Sequence, residues 1–269
     1  MFNNEKLLVI VDPTQIEPVA AQRALANAKI REDKAEIHIM FIVDVNATNT
    51  SAENVNNFRD SQWFADTRAP LLEEGLTVIS QVCFSTEYQK AILNYANQRN
   101  IDMIMLPIAE DQEAQKRSFS NDRWAILRQS ECPVLLVKPG KEEQRSAILA
   151  SIKIQNADEK QEALNNRVLS RARWSAERYG AELHVVNAYK DSMDYPDRGL
   201  LAKMADIPSE RIHVEQGVPE DIIAQVADSI NADVVALGTN RREGLGELLR
   251  GNTSEKVIMS IRQDVLTVN

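Results

Sequence analysis

Three segments of this chain occur twice, in the same order. Ala35-Glu36-Ile37-His38-Ile39 recurs as Ala181-Glu182-Leu183-His184-Val185. Asn100-Ile101-Asp102-Met103-Ile104-Met105-Leu106 recurs as Asn231-Ala232-Asp233-Val234-Val235-Ala236-Leu237. Cys132-Pro133-Val134-Leu135-Leu136-Val137 recurs as Gln263-Asp264-Val265-Leu266-Thr267-Val268, at the same spacing of 131 residues as the second pair. A repeat of this period has the length of an ordinary domain, so the chain is read as two copies of one fold.

Each copy alternates short β-rich runs with longer helical patterns, the signature of a parallel sheet with crossover helices. The first copy is expected to place strands near 6–12, 36–43, 76–83, 103–107 and 134–138, and the second near 147–152, 182–188, 212–216, 234–238 and 265–268. Most are near-continuous Val, Ile and Leu, as required of strands covered on both faces. Helices are expected over 87–98, 220–229 and 254–261, with Ile222, Ile223, Val226 and Ala227 forming one apolar stripe. Pro139-Gly140 and the charged residues after it read as a linker, giving domains 1–140 and 146–269. Each is an α/β unit, a five-stranded parallel sheet with helices on both faces. Two like domains on a short linker are expected to dock about a pseudo-twofold axis, with their final strands near it.

Composition removes several classes. No apolar run has the length of a bilayer span, and Met1 to Lys6 lack the basic start and apolar core of a signal peptide, so cytoplasmic residence is expected. Cys83 and Cys132 make no disulfide framework, and His38, His184 and His213 are far apart in sequence, so no metal site is expected. A net charge of −9 argues against nucleic acid as a partner, though a local basic spot still suits a small anion.

Four of the nine glycines fall between Gly238 and Gly251, in a stretch from the end of an expected strand to the start of an expected helix. Ligands bind at the carboxyl ends of strands in open α/β sheets, and glycines with helix amides suit a phosphate. Arg241, Arg242 and Arg250 add positive charge there. The same residues also read as a plain turn, since Asn252 and Glu255 have the spacing of a capping box. The stretch is neither a Walker loop nor a dinucleotide fingerprint.

Gly238, Gly251, Asn252 and Thr253 resemble the nucleotide loop of ATP-binding universal stress proteins, Gly-x2-Gly-x9-Gly followed by Ser or Asn and then Thr or Val. Arg241 replaces the second glycine. Leu8-Val9-Ile10-Val11-Asp12-Pro13, Trp124-Ala125-Ile126-Leu127-Arg128 before Cys132-Pro133, and Leu237-Gly238-Thr239 are similar to the tandem-domain, UspE-like branch of that family. The resemblance implies two tandem Rossmann-like domains of the adenine nucleotide alpha-hydrolase-like kind. It also implies an adenine nucleotide, ATP with Mg, held through Val185, Leu237, Gly238, Arg241, Gly251, Asn252 and Thr253.

The copies keep different halves of that site. The family's adenosine-contacting Asp is present as Asp12 in the first copy and is Ile152 in the second. The loop is kept in the second, while the first has Pro107, Glu110, Asp111, Ser120 and Asp122 at the matching places. Proline removes a donor and carboxylates repel phosphate, so only the second copy is expected to bind nucleotide. No catalytic residue stands out, and the chain is read as a regulatory stress protein rather than an enzyme. A nucleotide hydrolase using Glu243 or Glu247 is a further reading, as is an interaction or small-ligand module. For the last, Phe58, Trp63 and Phe64 and the run from Asp191 to Arg211 are the candidate surfaces. Monomer and homodimer both fit the sequence.

Overall fold

The computed structural model describes residues 5–13, 15, 17–31, 34–44, 61–108, 121–140, 146–239 and 253–269, of which 44, 121, 122 and 253 are described by their backbone alone. The chain divides into two compact units, Met1–Glu143 and Gln144–Asn269.

The first unit contains β1 (Lys6–Val11), α1 (Val19–Ile30), β2 (Glu36–Asp44), α2 (Ser61–Glu73), β3 (Thr77–Ser85), α3 (Tyr88–Arg99), β4 (Met103–Pro107), α4 (Asn121–Gln129) and β5 (Val134–Val137). Its strands run in the order β3-β2-β1-β4-β5, and each neighbouring pair is parallel. The second unit contains β6 (Ala147–Ser151), α5 (Glu159–Tyr179), β7 (Glu182–Tyr189), α6 (Arg198–Ala205), β8 (Ile212–Gln216), α7 (Pro219–Ser229), β9 (Val234–Gly238), α8 (Thr253–Ser260) and β10 (Asp264–Val268). Its order is β8-β7-β6-β9-β10, again parallel throughout. Strand bounds match the sequence expectation to within one or two residues.

Successive residues of a strand point to opposite faces. Every residue of β4 and all of β1 beyond Lys6 are buried, so both faces of the first sheet are covered there. The same holds for β6 and β9 up to their final residue. The outer strand β3 departs from this, with Ile79, Val82 and Phe84 all exposed. Trp63 and Phe64 do not stand free: both rings meet Phe41 of β2 edge to face, with centroids 5.8 and 4.7 Å away.

Local chemistry explains where the elements stop. Asp158 caps α5 by accepting from the Gln161 amide at 2.8 Å, and Gly180 ends it in the left-handed region at φ 60°. The apolar stripe expected on α7 is buried as a set: Ile222, Ile223, Val226 and Ala227.

The repeated Asn-x-Asp is a structural device. Asn100 and Asn231 take φ of 52° and 50°, the left-handed turn that asparagine tolerates after a helix. Two residues on, Asp102 accepts from the Lys6 amide at 2.8 Å, and Asp233 accepts from the Ser146 and Ala147 amides at 2.6 and 3.1 Å. Each aspartate thereby clasps the start of its copy's first strand to the start of the fourth. Asp233→Ala strands two amides and is expected to cost about 1–3 kcal/mol, read as a lower midpoint in chemical denaturation. Asp233→Asn keeps one acceptor oxygen and is expected to lose less.

Candidate functional site

In the second unit, strand order reverses at β6: β7 and β8 lie on one side, β9 and β10 on the other. Crossovers from such a point leave on opposite faces and open a crevice at the carboxyl ends of the strands. A cleft of about 580 Å³ lies there. Its walls are Ser151 at the end of β6 with Ile152, Lys153, Gln155 and Asn156 after it, Ala188 to Lys190 from β7, Val218 to Glu220 at the start of α7, Leu237 and Gly238 from β9, and Ser254, Lys256 and Val257 of α8. Gln161, Leu164, Asn165 and Val168 of α5 complete it.

Two buried amides hold the segment after β6 in place. Asn165 donates through Nδ2 to the Lys153 carbonyl at 2.7 Å, and its Oδ1 accepts from Gln161 Nε2 at 2.9 Å and from the Lys153 amide at 3.3 Å. Asn187 is fully buried; its Nδ2 donates to the Ile152 carbonyl at 3.1 Å and its Oδ1 accepts from Gln155 Nε2. Neither was singled out from the sequence. For Asn187 the signal is a polar residue inside an apolar run, Val185-Val186-Asn187-Ala188, whereas Asn165, followed by Asn166 and Arg167, carries no such signal. Ile152 is buried, its amide bonded to the Val186 carbonyl at 3.1 Å, but it is not the counterpart of Asp12. Lys6 pairs with Glu36 as Ala147 pairs with Glu182, so the registers match Val11 with Ile152 and Asp12 with Lys153, a cation of the cleft wall.

The expected site residues divide into three groups. Leu237 and Gly238 line the cleft. Val185 does not: it is fully buried in the middle of β7, between Ala150 and Ile212, and the β7 wall begins three residues later at Ala188. Thr253 opens α8 and is described by its backbone alone, while Arg241, Gly251 and Asn252 lie outside the described residues. Glu243 and Glu247, and in the first copy Phe58, Glu110, Asp111 and Ser120, also lie outside them.

Gly238 has a reason other than phosphate approach. A Cβ built there would lie 2.7 Å from both Cγ and Cδ2 of Leu164, so the glycine admits the α5 side chain against the end of β9. The Gly238 carbonyl accepts the Ser254 hydroxyl at 2.9 Å, tying α8 to that strand.

Charge around the cleft differs from the chain average. Lys153, Lys190 and Lys256 face Asp194 and Glu220, a cationic excess in a chain of net charge −9. Lys256 donates to Glu220 Oε1 at 2.9 Å. That hydrogen bond holds the Glu220 carboxyl below the usual carboxylate range and raises the Lys256 ammonium. Beside the cleft, Tyr195 meets Tyr189 edge to face at 5.3 Å. In the segment from Asp191 to Arg211, Leu201 is core, whereas Met193 is 91% exposed and Tyr195 and Leu200 are also exposed.

At the matching end of β4 the first copy holds a guanidinium. Arg123 stands 131 residues before Ser254, as Pro107 stands before Gly238, and its Nη1 donates to the Pro107 carbonyl at 3.2 Å. Burial lowers the Arg123 pKa, while a hydrogen bond to Tyr88 and the charge of Asp12 raise it. The carboxylate that the second copy lacks is thus matched in the first copy by an internal cation.

The family model described as Universal stress protein family matches residues 3–138 and 197–269. The chain belongs to that family. Universal stress protein E of Photorhabdus laumondii is 25% identical over 300 residues, spanning 100% of this chain and 96% of the relative. The Escherichia coli protein of the same name is 26% identical over 302 residues, spanning 100% and 94%. Among solved structures, a universal stress protein of Pseudomonas aeruginosa matches with TM-score 0.76 at 24% identity over 98% of this chain and 93% of that one. One from Archaeoglobus fulgidus matches with TM-score 0.67 at 15% identity over 98% and 96%. At those identities the structures speak to the fold alone. Among the described residues no helix is long and apolar enough to cross a membrane.

Gly238→Ala is expected to destabilise the second unit by about 1–3 kcal/mol through overpacking against Leu164. Adding Leu164→Ala should make the double variant less destabilised than the sum of the two single changes, measured as a double-mutant cycle in denaturant.

Proposed function

We propose that this chain is a cytoplasmic, regulatory stress-response protein whose second copy binds an adenine nucleotide, ATP with Mg, while its first copy binds none. The observation that carries this reading is the difference between the copies at one carbonyl. In the second, a small hydroxyl from Ser254 bonds the end of β9 beside an open cleft with a cationic excess. In the first, the long Arg123 side chain bonds the end of β4 and faces Asp12. A guanidinium held at that carbonyl is expected to disfavour a ligand at the corresponding end of the first copy.

The cleft has the size of a small-ligand site. Its three lysines suit a phosphorylated ligand, and the loop carrying Gly251, Asn252 and Thr253 has the family's nucleotide pattern. With Lys153 in place of the Asp12 carboxylate, that end of the cleft is expected to favour an anionic group of the ligand. The proposal assigns no catalysis: Glu220, a carboxylate of the cleft wall, is bonded to Lys256. A second reading, an amphiphilic small ligand or a protein partner at the same mouth, draws on the exposed Met193, Tyr195, Leu200 and Val218.

The test is the thermal unfolding midpoint with and without Mg-ATP, for the wild type and for Ser254→Arg, which gives the second copy the first copy's residue. Ligand at about a hundred times its dissociation constant adds roughly 2.7 kcal/mol to the folded state, a rise of several degrees for a chain of this size. The rise is expected in the wild type and absent in Ser254→Arg. An equal rise in both moves the nucleotide away from this cleft. No rise in the folded wild type at millimolar Mg-ATP leaves the second reading in front.

A further inference from the structure

His184 and His213, far apart in sequence, meet on neighbouring strands. His213 lies opposite Val186, so His184 is its diagonal neighbour on the same face. His184 Nδ1 and His213 Nε2 are 3.1 Å apart, with ring centroids separated by 5.4 Å and planes inclined by 24°. The two nitrogens therefore point at each other, and one proton fits between them. Behind the pair, His184 Nε2 faces Glu182 Oε2 at 3.6 Å, and Arg211 occupies the other Glu182 oxygen. Glu182 of β7, Arg211 before β8, Glu215 of β8 and Arg198 of α6 are the charged groups around the two rings.

We propose that His184 and His213 form a pH-dependent clasp that holds the outer strand β8 against β7 at neutral pH and releases it on acidification. With one proton between the nitrogens, one ring donates and the other accepts. When both rings are protonated, two N–H groups and two positive charges oppose each other at hydrogen-bond distance, and the contact turns repulsive. Burial lowers the pKa of both rings, and for His213 the charge of His184 lowers it further. Depressed folded pKa values mean the unfolded chain binds protons first. The clasp is then at full strength above the ordinary histidine range, near pH 6.5, and is lost as pH falls through it toward the folded values.

The first copy provides an internal comparison. Its Glu36 and His38 repeat Glu182 and His184, but His38 Nδ1 meets the Tyr95 hydroxyl at 2.7 Å instead of a second imidazole. Only the second copy opposes two groups that gain charge in the physiological range. Metal chelation at this place lacks ligands, since no group of three His, Cys, Asp or Glu suited to a metal ion exists among the described residues. The clasp also bears on the cleft. Beyond β8, the Gly217 amide bonds the Tyr189 carbonyl at 2.8 Å, and Val218 to Glu220 form cleft wall. Release of β8 therefore loosens one side of that cleft whatever ligand it takes.

Amide hydrogen exchange of the full chain tests this, with each rate normalised to its intrinsic value, at about pH 7.5 and about pH 5.5. Protection of the Ile212–Gln216 amides in the wild type is expected to fall by roughly tenfold or more on acidification, with the Ala147–Ser151 amides of β6 changing far less. His213→Gln, whose amide can still donate to His184 Nδ1 but does not titrate, is expected to remove most of that fall. No fall in the wild type, or an equal fall in His213→Gln, overturns the clasp. If His213→Gln does not fold, the wild-type imidazole resonances decide. Two coupled titration steps support the proposal, and two independent single-site curves overturn it.

Discussion

Pairing of the first strand of each copy with its fourth is the constraint on which the rest depends. Leu7, Leu8 and Val9 align with Met103, Ile104 and Met105, and Ile148 to Ser151 align with Val234 to Leu237. Neither pair is consecutive in sequence, so long crossovers must close it, and helices are thereby laid on both sheet faces. The fully buried strands that result need apolar residues at every position. The Asp102 and Asp233 clasps hold this pairing at the amino ends, where the start of a strand would otherwise leave amides unbonded. At the carboxyl ends the same pairing opens the crevice.

The side chain at the end of the fourth strand separates the two copies. One backbone carbonyl, at the end of the fourth strand, accepts a guanidinium in the first copy and a hydroxyl in the second. The difference is one of charge: arginine brings a guanidinium under the influence of Tyr88 and Asp12, whereas serine bonds the carbonyl through a neutral hydroxyl at the edge of the cleft. A repeat can therefore keep its fold in both halves, because the core strands are under the same packing demand, while its side chains at the strand ends diverge.

Much of this was legible in advance. The strands are read from apolar runs because strands covered on both faces are largely apolar, and their bounds shift by no more than a residue or two. The repeated Asn-x-Asp was visible as a repeat, but its reason was not. The left-handed turn at Asn100 and Asn231 and the reach of Asp102 and Asp233 to another strand are facts of backbone geometry. The family resemblance puts Val185 at the site, whereas the β7 wall of the cleft begins at Ala188, because β7 runs on to Tyr189. Gly238 was read as making room for phosphate, and the neighbour it makes room for is Leu164.

The sequence by itself determined the two-copy organisation, the α/β class and the family. Each of these is written in local pattern: period, apolar runs and short motifs. Only the tertiary structure decided which polar groups meet. Asn165 and Asn187 converge on the segment after β6, Lys256 meets Glu220, Arg123 reaches the Pro107 carbonyl, and His184 meets His213. Hydrogen bonds and ion pairs act over a few ångströms between residues many positions apart, so their partners are set by strand order and register, which no local pattern encodes.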